Sequence, residues 1–182
     1  MALAEAALDG GHVDEVLLVL PRRFPHDKDF SGVGLEDRLR LLCAAAERNP
    51  RFSVGVSDGG LFTEIAAEAR RHYGAAELWF VCGRDAAERV ANWDYGHPDA
   101  FRRMLDRFGL LVASRGGDYE PPRELASRIK RLTMPAGWDD VSSSEVRERI
   151  RSGEAWEHLA PPEIVAMVRT LYGAAKTQTS KA

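Results

Sequence analysis

Cysteine is scarce in this chain of 182 residues, neither sign of charge dominates, and no apolar run is long. Cys43 and Cys82 stand far apart and form no CxxC, which argues against a disulfide framework or a cysteine-based zinc site. Lys plus Arg number 25 against 28 for Asp plus Glu, a formal net charge of −3. That balance lacks the basic footprint of a general nucleic-acid binder. The apolar run near the start, Val16 to Leu20, is too short to cross a bilayer. Asp14 and Glu15 precede it, the wrong flank for a signal peptide. A cytoplasmic protein without membrane or nucleic-acid partners is expected. The chain carries no Walker A loop, no Ser-His-Asp order and no carboxylate pair suited to acid–base work. His12, His72, His97 and His158 have no metal-ligand spacing, so no protein-held metal is expected. Nothing in the sequence fixes an oligomeric state.

What is present is enough for one buried core: 45% of residues are hydrophobic, and two full-sized domains would be a squeeze. Short apolar runs alternate with helical spacing. Strands are expected at Val13–Leu20, Phe52–Val56, Leu78–Cys82, Leu110–Ser114 and Ile129–Met134. The first and third, apolar on both faces, read as buried parallel strands. Helices are expected at Ala2–Leu8, Leu35–Arg48, Thr63–His72, Pro98–Arg107, Ser143–Arg151 and Pro162–Leu171. Strand alternating with helix implies an α/β fold: an open parallel sheet with right-handed crossovers, in one domain over residues 1–173. A polar tail covers 174–182.

In such sheets ligands bind beyond the C-terminal strand ends, which directs attention to a few positions. Ser142, Ser143 and Ser144 open a helix, with Arg147 one turn in. Unpaired N–H groups, hydroxyls and a guanidinium there would suit phosphate, although a plain serine cap with an exposed arginine gives the same pattern. Gly83 and Asp85 follow the strand Leu78–Cys82, where Gly83 lets a ligand approach the backbone and Asp85 can meet a ribose hydroxyl. Trp93, eight residues beyond Asp85, offers a flat stacking face. A turn glycine, a capping aspartate and a core tryptophan explain these equally well. Lys28, in Pro25-His26-Asp27-Lys28, is placed to neutralise phosphate, Thr63 to bring a hydroxyl to substrate, and Arg115 to meet ligand at a strand end. Each also has a plainer account as a solvated loop, a helix start or a surface arginine.

Together and in this order, these segments resemble the nucleotidyltransferase family, specifically the nicotinate-nucleotide adenylyltransferases, from residue 1 to about Gly173. Val141 to Arg147 resembles the family's ISSTxxR signature, with Val141 for Ile and Ser144 for Thr. Gly83, Asp85 and Trp93 resemble its GxD followed by Trp; Phe62-Thr63 resembles Tyr-Thr; and Pro25, His26 and Lys28 resemble PHK with Asp27 interposed. The resemblance implies a Rossmann-like sheet of nucleotidyltransferase type and adenylyl transfer from ATP to nicotinate or nicotinamide mononucleotide, in NAD biosynthesis. It implies Mg²⁺ carried on the ATP phosphates, with Lys28 and Arg147 as catalytic cations. Ser142–Ser144 and Arg147 would hold the triphosphate, Gly83 and Asp85 the nucleotide, and Thr63, Trp93 and Arg115 the acceptor. The family also carries a first strand followed by Gly-x-Phe-x-Pro-x-His-x-Gly-His, and this sequence contains neither. The expectation is therefore a fold with its first strand missing, a true start upstream of Met1, and impaired transfer by these residues alone. Two alternatives are a nucleotide-binding module without chemistry and a same-fold transferase for another substrate, such as a cytidylyl acceptor.

Overall fold

The computed structural model describes residues 1–24, 32–114, 119–135, 137–138 and 141–173. All five expected strands form: β1 (Val16–Pro21), β2 (Phe52–Ser57), β3 (Trp79–Gly83), β4 (Gly109–Ala113) and β5 (Ile129–Leu132). So do the six expected helices: α1 (Ala2–Asp9), α2 (Leu35–Ala46), α3 (Phe62–Tyr73), α5 (Ala100–Leu105), α6 (Ser143–Ser152) and α7 (Pro162–Gly173). A seventh, α4 (Arg84–Ala91), occupies residues read from the sequence as a loop after Gly83. Gly83 is its N-cap, and the Ala-rich stretch Asp85-Ala86-Ala87-Glu88 sustains the helix as its composition favours. Arg84 and Glu88 close an i,i+4 pair at 2.7 Å on its outer face.

The α/β class holds, and β3–β4 and β4–β5 pair in parallel as expected. The strands nevertheless lie in two sheets, β1-β2 and β3-β4-β5, rather than in one. The chain divides into two compact units. The first holds Leu17–Gly59 and Val141–Ala182 with Met1; the second holds Ala2–Val16 and Gly60–Asp140. The burial expected of the first and third strands is corrected too. In β1 only Val16 is buried and in β3 only Cys82, whereas all of β4 is buried. The reason is position: β4 is the middle strand of its sheet, while β1 and β3 are edge strands, each with one ladder side unpaired by any strand among the described residues.

In the second unit, two layers of side chains cover the central strand. On one side Phe62 stacks on Phe80 with centroids 4.3 Å apart, and Phe80 meets Phe108 edge-on at 4.8 Å. On the other, Ala6 and Ala7 bring α1 close to Leu111, Ala113 and Leu132, small side chains permitting a tight approach. Gly109 faces Trp79 in register, and a Cβ there would lie 2.3 Å from the indole Cε3. The missing Cβ lets that indole lie beside β4, with Lys130 Nζ of β5 4.3 Å from its ring centroid. Gly109→Ala is therefore expected to destabilise the fold by about 1–3 kcal/mol, the scale of overpacking a filled site. A urea-unfolding midpoint equal to wild type would show the indole to be free to move.

In the first unit, α2 and α6 both pack against α7. Ile150, Trp156 and Val168 form the buried centre, with Leu41, Val146, Ile164, Val165 and Tyr172 around it. Burying this apolar cluster is what orients the head of α6.

Candidate phosphate and nucleotide sites

The head of α6 is built by its own sequence. Ser142 has extended backbone (φ −134°, ψ 154°), and its Oγ accepts from the Glu145 N–H at 3.1 Å. That is an ordinary serine cap, the plainer of the two sequence readings for this residue. The two residues that follow keep more. As the first helical positions, Ser143 and Ser144 have N–H groups without intrahelical acceptors, and both side chains are exposed. At the other end, Gly153 closes the helix in the left-handed region, with φ 79°.

Arg147 differs from its neighbours on α6. Arg149 is bound to Glu145 at 2.7 Å, and Arg151 is bound to Glu148. Arg147 has no carboxylate partner among the described residues; its Nη2 donates to the Ser144 hydroxyl at 3.2 Å. A half-buried guanidinium leaning toward the open end of a helix, its charge not neutralised by an acid, is an arrangement suited to an anion. The structure thus brings Ser142, Ser143, Ser144 and Arg147 together as one local feature.

In the second unit, Gly83 ends β3 and caps α4, and Asp85 sits exposed in the first turn of α4. Its carboxylate accepts no hydrogen bond from any described residue. The sequence placed Asp85 on a loop; a helical first turn fixes its direction more firmly and adds the helix N-terminus beside it. Cys82, next to Gly83, is buried, and burial pushes its thiol up to about 12, which rules it out as a nucleophile at neutral pH. Thr63 lies half-buried in the first turn of α3, its hydroxyl unbonded among the described residues. Phe62 beside it turns into the Phe80 stack, so this departure from the family's Tyr-Thr belongs to the core.

Trp93 is 49% exposed and lines an open hollow of about 410 Å³ with Asp94, Tyr95, His97 and Phe101. Local bonds hold the hollow's rim. Asp94 Oδ1 accepts from Gly96 N–H at 2.8 Å, Gly96 turning at φ 73°, and His97 Nδ1 accepts from Asp99 N–H at 3.2 Å. The Tyr95 hydroxyl donates to the Val90 carbonyl at 3.0 Å, and partial burial raises its pKa. These bonds brace the loop on which Trp93 stands. An exposed indole beside a concave wall is the geometry a planar ring can enter.

Lys28 and Arg115, both read from the sequence as ligand contacts, lie outside the described residues, as do Pro25 and His26 and the tail from 174. Among the described residues no three His, Cys, Asp or Glu side chains gather as a metal cage.

No protein-family model matches the chain. Curated relatives do, among them three each named a probable nicotinate-nucleotide adenylyltransferase. One from Tropheryma whipplei is 33% identical over 172 residues, covering 88% of this chain and 87% of that protein. One from Corynebacterium jeikeium is 28% identical over 172 residues, covering 85% and 82%. One from Moorella thermoacetica is 28% identical over 185 residues, covering 93% and 82%.

Proposed function

The chain belongs to the nicotinate-nucleotide adenylyltransferase family, and from that premise we propose that its residues bind MgATP and a pyridine mononucleotide for adenylyl transfer in NAD biosynthesis. In the reaction, a phosphate oxygen of the mononucleotide attacks the α-phosphorus of ATP in line. The new P–O bond joins the two nucleotides, and the bond to pyrophosphate breaks. No protein nucleophile is needed, so the protein's task is positioning and charge stabilisation.

The observation that carries this reading is Arg147, held at the head of α6 without a carboxylate partner among the described residues. In the proposal, Arg147 with the N–H groups and hydroxyls of Ser143 and Ser144 takes the β- and γ-phosphates, and Ser142 fixes the turn. Lys28 adds a second cation to the phosphates. Asp85 accepts from a ribose hydroxyl, and Gly83 leaves the backbone open beside it. Trp93 stacks the pyridine ring, with Thr63 and Arg115 as the acceptor's polar contacts. Mg²⁺ enters with ATP as part of the substrate and supplies charge neutralisation on the phosphates. No helix among the described residues is long and apolar enough to cross a membrane, and the free thiols of Cys43 and Cys82 suit a reducing cytoplasm.

Calorimetry and fluorescence test this directly. MgATP is expected to bind the chain more tightly than MgCTP. Nicotinate mononucleotide is expected to quench tryptophan emission, and Trp93→Phe to abolish most of that quench and weaken binding about fivefold, the low end of base–aromatic stacking. An equal quench in Trp93→Phe removes the tryptophan from the acceptor site. A preference for CTP points to another nucleotidyl transfer.

A further inference from the structure

The hollow beside Trp93 carries charge of one sign. Trp93, Tyr95, His97 and Phe101 give it aromatic walls, Asp94 gives it a carboxylate, and no lysine or arginine among the described residues lines it. Its other polar side chains are already engaged. The Tyr95 hydroxyl donates to the Val90 carbonyl. His97 Nδ1 accepts from the Asp99 N–H, a bond that only a ring unprotonated at that nitrogen can make. Asp94 Oδ1 accepts from the Gly96 N–H at 2.8 Å, which fixes the carboxylate in its turn without neutralising it.

An aromatic face attracts a cation through its quadrupole, and a carboxylate held at the same wall adds a full negative charge. A hollow built of the two suits a flat ring that itself carries positive charge. A neutral ring of the same outline keeps the stacking and loses the electrostatic part.

We propose that Asp94 is a specificity-determining residue for the charge of the acceptor ring: its carboxylate, beside the Trp93 face, selects an N-linked pyridinium over an uncharged dihydropyridine of the same outline. This rests on the reading above that sets the acceptor ring on Trp93. It adds the class of ring, a quaternary aromatic cation, and demotes the reduced form of the same nucleotide to a weak ligand.

The probes are nicotinamide mononucleotide and its reduced form, which differ by one hydride and so by the ring's positive charge. Each is titrated calorimetrically into the full chain. The oxidised form is expected to bind about tenfold more tightly, the combined scale of an exposed cation–π contact and an exposed ion pair. Asp94→Asn keeps an Oδ1 for the Gly96 N–H and removes only the charge. It is expected to weaken the oxidised form about threefold and to leave the reduced form unchanged, so that the preference narrows. A structural role for Asp94 would weaken both forms alike. Equal losses for the two forms, an undiminished preference in Asp94→Asn, equal binding of both forms by the wild type, or no measurable binding of either each overturns the inference. The acceptor reading is judged separately. If nicotinate mononucleotide quenches tryptophan emission and Trp93→Phe abolishes that quench, the ring's place on Trp93 stands even where Asp94 fails; a quench unchanged in Trp93→Phe removes both.

Discussion

Mixed with MgATP and nicotinate mononucleotide, the 182-residue chain is expected to bind both and to form dinucleotide at no more than about a hundredth of the rate of a relative with the complete family motif, since one missing transition-state donor costs about 10²–10³ in rate. The argument separates two tasks. In the proposed site, positioning falls to the α6 head, Asp85, Thr63 and Trp93. Charge on the transferring phosphate falls to Arg147 and Lys28, without the family's His-x-Gly-His donors. Histidines occur at 12, 26, 72, 97 and 158, and none of them forms His-x-Gly-His. The expected signature is therefore a large loss in kcat with a modest change in ligand affinity. Coupled pyrophosphate release, read against calorimetric Kd values, makes the comparison. Dinucleotide formation near a relative's rate would sink it and show that other residues stabilise the transferring phosphate.

The two edge strands suggest a companion result. β1 and β3 are almost wholly apolar, yet most of their residues are only half-buried, and each has one unpaired ladder side among the described residues. Apolar strands at an open edge are a liability that proteins ordinarily cover. Amide exchange over Trp79–Gly83 is therefore expected to be faster than over residues 110–112 at the buried centre of β4, and equal protection would show that the β3 edge is covered.

These same strands show where sequence reading reached its limit. Periodicity found β1 and β3 because Val, Leu and Phe on both faces look alike whether a strand is central or at an edge. Neighbours decide burial, and neighbours are not in the local pattern. Conversely, β4 contains Gly109 and reads as no more apolar than β3, yet it is the strand buried throughout. Helix α4 was missed for a different reason: Gly83-Arg84-Asp85 carries turn chemistry, and only the alanines after it favour a helix. The site was legible where a signature is contiguous, as at Ser142–Arg147, since a cap and an i+3 contact are local. Lys28 and Arg115 remain readings from the sequence, outside the described residues.

Arg147→Ala should weaken ATP about tenfold or more, the lower end of the 1.5–3 kcal/mol measured for hydrogen bonds to charged groups, while leaving the fold nearly intact. The fold should survive because α6 is anchored elsewhere. Val146 and Ile150 pack against the α7 cluster, Ser142 caps the first turn, and the Arg149–Glu145 pair spans the next. Arg147 adds only a contact to its own Ser144 hydroxyl, so truncation strands no carboxylate among the described residues. Exposed or half-exposed side chains of this kind change stability by about 0.5 kcal/mol or less. ATP, by contrast, would lose a planar fork that can meet two phosphate oxygens at once, which neither the remaining N–H groups nor a lysine reproduces. Arg147→Lys should therefore recover only part of the affinity. Isothermal titration with ATP, paired with urea unfolding of the same preparations, tests both halves. Wild-type affinity in a folded Arg147→Ala protein would reduce the Ser142–Arg147 turn to a helix cap and nothing more. A loss of affinity matched by a loss of several kcal/mol in stability would instead mean that Arg147 holds the α6–α7 packing together.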